Sequence, residues 1–223
     1  MEKKGKLIVI DGTDGSGKHT QTELLAQNLK ALGCEVETIS FPQYGKKSAG
    51  LAENYLNGIY GSADEVDAYQ GSVFYAVDRF DASFQIKKWL EAGKIVITDR
   101  YVSANMGHQA GKIHDLKERD DFLNWIDSFE YEIMKIPRPD INLFLYVDPE
   151  LSRSLALGVQ KTNMDKSKDV HENDTEHMKN ASEAFKYVAD KYAWITIDCI
   201  QEGKLRSREE ISSEIIDIVK QKI

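Results

Sequence analysis

The stretch Lys6-Leu7-Ile8-Val9-Ile10-Asp11-Gly12-Thr13-Asp14-Gly15-Ser16-Gly17-Lys18-His19-Thr20 decides the fold. An apolar, β-branched run empties into Gly-x-x-x-x-Gly-Lys, and a helical pattern, Gln21 to Leu32, comes next. Strand, glycine-rich turn and helix in that order are the requirements of a phosphate-binding P-loop. Glycines let the backbone turn tightly, so successive N–H groups point into one concavity at a helix N-terminus, where anions are favoured. Lys18 then reaches the outer phosphates as a point charge. The phosphate-binding set is therefore Gly12, Thr13, Asp14, Gly15, Ser16, Gly17, Lys18, His19 and Thr20.

One position departs from the pattern. His19 stands where Ser or Thr usually supplies a hydroxyl ligand to Mg²⁺. Imidazole does not copy a hard oxygen donor. The metal is therefore expected on the phosphates and waters, with Asp99 and Asp14 in its inner or second shell. The other arrangement, His19 packed on the helix with Thr20 supplying the hydroxyl, stays open.

Working outward, four further runs read as strands: Val36–Ser40, Ile95–Thr98, Ile141–Val147 and Trp194–Ile197. With Leu7–Ile10 they are mostly unbroken and Val/Ile-rich, as parallel strands covered on both faces should be. Helical patterns lie between them, at Gln21–Leu32, Val73–Glu91, Asp120–Lys135, Asn173–Tyr192 and Arg208–Lys222. The alternation predicts an α/β fold, a doubly wound parallel five-stranded sheet with helices on both faces and ligands beyond the strand C-termini. One domain, residues 1–223, accounts for the length. Gly158–Asn173 is polar, Lys-rich and without apolar periodicity. It reads as a mobile lid, with an ordinary solvated loop as the alternative.

The balance of 29 basic against 37 acidic residues gives a net charge of −8. That argues against a nucleic-acid-coating surface, which needs clustered Lys and Arg. Cys34 and Cys199 lack metal-ligand spacing and read as buried free thiols. The apolar run at Leu7 is too short for a signal peptide or a membrane span, so no membrane contact and a cytoplasmic location are expected.

A second strand carries chemistry. Ile95-Val96-Ile97-Thr98 closes on Asp99-Arg100-Tyr101. In a parallel sheet Asp99 and Arg100 then sit at the edge where the P-loop opens. An Asp there can hold Mg²⁺, and an Arg can bridge donor and acceptor phosphates. The plainer alternative is that Asp99 caps the next element and Arg100 pairs with it.

The chain resembles the thymidylate (dTMP) kinase family over nearly its whole length. The resemblance rests on five segments in order: the P-loop, Phe41-Pro42-Gln43-Tyr44, Phe74-Tyr75-Ala76-Val77-Asp78-Arg79, Asp99-Arg100-Tyr101-Val102-Ser103-Ala104-Asn105, and Asp169-Val170-His171-Glu172. It implies ATP as donor, Mg²⁺ as cofactor, dTMP as acceptor and a homodimer packed through helices. It also implies roles at matching positions. Lys18, Arg100 and Asp14 would be catalytic, with Asp14 contacting the acceptor's 3′-hydroxyl or the metal. Arg100 and Tyr44 would hold the acceptor phosphate, beside Phe41. Tyr75 would stack on thymine, Arg79 would bond its edge, and Asn105 would lie near the base. Tyr101 would crowd the sugar's 2′ position. Asp169 and Glu172, three apart, would close over the nucleotide or join the metal shell, with a plain solvated face as the alternative. Residue chemistry agrees, since Tyr75 and Arg79 are four apart on one helix face and pair an aromatic plane with a forked donor.

Two departures stand out. Family members supply a catalytic Arg from the P-loop or an Arg-rich lid. This P-loop has none, and the lid stretch offers Lys161, Lys166 and Lys168. Arg153, just upstream, is the nearest guanidinium and would be the substitute. Gln43 stands where many members carry a basic residue. Competing readings are a deoxynucleoside kinase, which needs a carboxylate base for a hydroxyl acceptor, and a monophosphate kinase for another base. A regulatory GTPase is disfavoured because the chain has no Asn-Lys pair to begin a guanine-reading motif.

Overall fold

A computed structural model of the protein describes residues 4–13, 15–62, 65–148 and 175–223. Five parallel strands form its sheet: β1 (Lys6–Gly12), β2 (Val36–Ser40), β3 (Ile95–Asp99), β4 (Ile141–Tyr146) and β5 (Ile195–Asp198), in the order β2-β3-β1-β4-β5. The doubly wound parallel sheet expected from the sequence is the one observed. β1 lies at its centre, so the loop leaving β1 opens between its neighbours, where open α/β sheets bind ligands.

Alternation along β1 builds two cores. Ile8 and Ile10 point to one face and pack with Leu25 and Leu29 of α1 (Lys18–Ala31) and with Ile211, Ile215 and Val219 of the last helix, Arg208–Lys220. Leu7 and Val9 point to the other. There they meet Ile86 of α3 (Ala68–Glu91), Val102 and Met106 of α4 (Val102–Ala110), and Phe122 and Ile126 of α5 (Leu116–Asp127). Each of these β1 side chains is fully buried. Burying one such side chain contributes roughly 1.5–3 kcal/mol, so β1 is held from both sides and its C-terminal end is a rigid mount for the P-loop.

Three differences from the sequence expectation have physical causes. The pattern Asp120–Lys135 is not one α-helix: α5 stops at Asp127, and Ser128–Ile133 continues as a π-helical turn. The inserted residue rotates Glu130 inward, where it is fully buried. A short helix α2 (Gly50–Leu56) and α4 carry no long apolar periodicity and were not anticipated. α3 starts five residues earlier than Val73, because Asp67 and Gln70 form a capping box. Among the described residues no helix is long and apolar enough to cross a membrane. Cys199 is buried and Cys34 partly so, both as free thiols. The lid expected at 158–173, with Lys161, Lys166 and Lys168, lies outside the described residues, as do Asp14, Arg153 and Glu172.

Candidate active site

The P-loop is built as the sequence requires. A Cβ on Gly12 would meet the Leu145 carbonyl oxygen at 2.5 Å and Ser16 Oγ at 2.7 Å, so β4 leaves room for glycine alone. Gly17, at φ 84°, adopts the left-handed conformation that starts α1 without a side-chain cap. α3, α5 and the last helix begin instead with capping Asp67, Asp115 and Ser207. The open amides of α1 point into the loop, and an anion there meets the positive end of the helix. Thr13 Oγ1 and Ser16 Oγ are buried with no hydrogen-bond partner among the described residues. Such groups are costly unless a ligand satisfies them, and phosphate oxygens supply that. Lys18 is buried, with Nζ donating to the Thr13 carbonyl at 2.9 Å.

Beneath the loop, Asp11 is buried and accepts from the Gly12 amide at 2.9 Å and from Ser103 Oγ at 2.7 Å. Burial raises its carboxyl above the ordinary range. Arg100, the Ser103 hydroxyl and Lys18 pull the other way. At the rim, His19 is largely exposed. Its Nδ1 lies 3.4 Å from Asp99 Oδ2, and its Nε2 lies 3.4 Å from Glu23 Oε1. It thus bridges Glu23 on its own helix and Asp99 at the end of β3.

Asp99 and Arg100 stand where the sequence places them, at the C-terminal edge of β3. Arg100 has φ 66°, a left-handed conformation worth about 1–3 kcal/mol of strain, held by its amide donating to the Ile10 carbonyl at 3.1 Å. The turn aims its side chain over a cavity of ≈ 310 Å³, within the range usual for a small-molecule site. Phe41, Tyr44, Tyr75, Arg79, Arg100 and Asn105 all line that cavity, together with Asp99. Six of the acceptor-site residues read from the sequence are thus brought together.

Tyr101 is the exception, and the structure corrects the expectation for it. The turn at Arg100 sends its side chain into the core, fully buried and tilted against Phe41 at 5.9 Å, with its hydroxyl donating to the Pro137 carbonyl at 3.0 Å. Burial lifts its phenol well above the usual range. It does not line the cavity, so it cannot crowd a bound sugar.

Arg79 is nearly inaccessible yet borders the cavity. Its Nε donates to Glu130 Oε2 at 2.6 Å and its Nη2 to Oε1 at 2.5 Å. Asn105 Nδ2 donates to the Ser72 carbonyl at 3.0 Å and to Glu130 Oε1 at 3.1 Å. The Arg79 guanidinium is held charged, its pKa raised despite desolvation by the facing carboxylate. Gln43, in the position of the missing basic residue, is tied by its amide and side chain to buried Asp78, at 2.7 and 3.0 Å. Lys46 Nζ reaches Gln43 Oε1 at 2.5 Å and brings a cation to the same loop.

Sequence reasoning missed Glu130, Asp78 and His108. Glu130 continues the apolar stripe Phe122–Ile126 at four-residue spacing, so a carboxylate on a buried face was the available signal. His108 lines the cavity, its Nε2 2.9 Å from Arg100 Nη1. It lies one turn of α4 beyond Asn105.

Comparisons with known proteins show the family and the fold. The thymidylate kinase of Mycobacterium tuberculosis is 31% identical over 171 residues, covering 76% of this chain and 79% of that protein. The thymidylate kinase of Plasmodium falciparum is 26% identical over 215 residues, covering 96% and 90%. The solved thymidylate kinase of Candida albicans shares the fold, with a TM-score of 0.71 at 21% identity over 98% of this chain and 92% of that one. A family model described as thymidylate kinase matches residues 10–211, and the chain belongs to that family.

Proposed function

We propose that the protein transfers the γ-phosphoryl group of ATP to dTMP, giving dTDP and ADP. The observation that carries this reading is a single cavity in which Arg100 at the end of β3, beside the P-loop, faces Tyr75, Arg79 and Asn105. A guanidinium suited to phosphate and an aromatic ring suited to a base line one cavity of ≈ 310 Å³.

The chain's own groups divide the work. The open amides of α1, with Thr13 and Ser16, hold the donor phosphates. Lys18 exchanges the Thr13 carbonyl for phosphate oxygens, where charge grows in the transition state. Arg100 and Tyr44 hold the acceptor phosphate, which is already anionic and needs no general base. Tyr75 stacks on the base, with Phe41 beside it, and Arg79 and Asn105 meet its edge. Asp14 and Glu172 keep the roles inferred from the resemblance. Arg153, the nearest guanidinium in sequence to the lid stretch, is assigned the transition-state charge that the family's missing arginine would supply. Mg²⁺ neutralises donor phosphate charge when bound. Asp99, together with Asp14 as inferred from the sequence, would suit an ion carried mainly by phosphates and water. Phe80 and Phe84, exposed on α3 and edge-to-face at 5.4 Å, support a homodimer packed through that helix. We place the reaction in the cytoplasm and in one domain.

The test is ADP release measured with dTMP, dUMP, dGMP, dCMP, UMP, AMP and thymidine as acceptors. dTMP should be the best. Thymidine outpacing dTMP would make the protein a nucleoside kinase instead.

A further inference from the structure

The geometry points to Glu130 as the residue that fixes the hydrogen-bonding polarity of the base pocket, and so decides between 4-oxo and 4-amino pyrimidines. This rests on the reading of Arg79 and Asn105 as base-edge residues.

Glu130 is fully buried on the π-helical turn and touches both of them. Ionised, it only accepts hydrogen bonds. Its two oxygens take Nε and Nη2 of Arg79, which leaves Nη1 without a partner among the described residues. Nη1 has N–H groups and no acceptor capacity, so Arg79 offers the cavity donors only. The same carboxylate fixes Asn105. Its amide faces two acceptors, Glu130 Oε1 and the Ser72 carbonyl, so the NH₂ must point to them. The opposite orientation would set Oδ1 against two oxygens. Oδ1 accepts nothing from the described residues and remains the acceptor on this wall of the cavity.

Glu130 thus presents a donor and an acceptor side by side. A 4-oxo pyrimidine carries the complement, an O4 acceptor next to an N3–H donor. A 4-amino pyrimidine carries the reverse, an amino donor next to an unprotonated N3. It would set N–H against N–H and lone pair against lone pair. A site built for one pattern rejects the other because its own buried groups are left unpaired. Arg79 donates whatever faces it. Asn105 is the member that needs fixing, since an amide with a free choice of orientation accepts either base, and Glu130 removes that choice.

Glu130→Gln tests the role. A glutamine has one acceptor and one donor end, so Asn105 and Arg79 cannot both be satisfied in their present orientations. The ratio of kcat/KM for dTMP to that for dCMP should fall at least about tenfold, with KM for ATP within twofold. The second variant, Glu130→Asp, keeps the buried charge opposite Arg79 but is one methylene short of spanning both partners. It guards against loss of fold and should lower the ratio too. If both substrates lose rate by one common factor, or if a folded variant keeps the ratio, Glu130 is structural and the inference is overturned. A wild-type protein that fails to phosphorylate dTMP would instead remove the kinase reading beneath it, and that is visible before any variant is made.

Discussion

Arg100 Nη1 lies 2.9 Å from His108 Nε2. An arginine only donates, so the imidazole nitrogen facing it must be the unprotonated one. Arg100 leaves β3 in a left-handed conformation that aims its side chain, and His108 takes up the far end of that aim from α4. The ring is itself held edge-on by Phe185 at 5.1 Å. Arg100 therefore arrives oriented before any phosphate binds, and pre-oriented donors lose less on binding. Replacing His108 by Ala should raise KM for dTMP roughly tenfold, the worth of about one hydrogen bond to a charged group. KM for ATP should stay near wild type. Steady-state kinetics with each substrate varied decides it. An unchanged KM for dTMP would mean that Arg100 orients without help.

Lys18 is parked on the Thr13 carbonyl. A buried ammonium bonded to a backbone oxygen is poised to trade it for phosphate. Lys18→Ala should lower kcat about 10²–10³-fold, as loss of one transition-state donor does. Single-turnover rates at saturating ATP and dTMP measure this. A variant of near-normal rate would show that the open amides of α1 carry the phosphates unaided.

Much of this was legible in the residues. The central strands β1, β3 and β4 announced themselves because a strand covered on both faces is mostly apolar, and the P-loop because its glycines answer to geometry. The edge strands β2 and β5, only partly buried, were marked more weakly by β-branched residues. Elements held by tertiary contacts were not. α4 contains Ser103, Asn105, His108 and Gln109, polar side chains turned into the protein, and Gly107, against which Phe185 packs, so no apolar stripe marked it. Tyr101 was misplaced for a related reason. Its neighbour Arg100 turns through positive φ, and one such residue sends the next side chain into the core. The pairing of Arg79 with Glu130 spans 51 residues and depends on a π-turn that local periodicity reads as ordinary helix.

Asp11 gives a pH signature. Burial raises its folded pKa above the unfolded 3.8. The native state then holds this proton more tightly than the unfolded chain. The favourable contribution is complete below the unfolded value and is lost as pH rises through the raised folded value. Asp11→Asn cannot ionise. Its stability relative to wild type should therefore improve as pH climbs from about 4 toward neutrality, while other groups cancel in the difference. Urea unfolding of both proteins across that range is the measurement. A difference independent of pH would mean that the opposing Arg100, Ser103 and Lys18 interactions cancel burial.

The last prediction concerns the metal. His19 occupies the usual hydroxyl position but is exposed and turned toward Asp99, 3.4 Å from its Oδ2, while Thr20 is half-buried one residue on. An imidazole beside a carboxylate is a poor substitute for an oxygen ligand to a hard cation. Asp99, at the C-terminal end of β3 and beside His19, is a hard oxygen donor among the described residues. Asp99→Asn should sharply raise the Mg²⁺ concentration for half-maximal rate, because a neutral amide attracts the ion far less than a carboxylate does. His19→Thr should leave the rate within a few-fold. Thr20→Val separates the two arrangements left open by the sequence. If it, and not Asp99→Asn, raises the Mg²⁺ requirement, the helix hydroxyl is the ligand and Asp99 serves only to hold His19 at the rim.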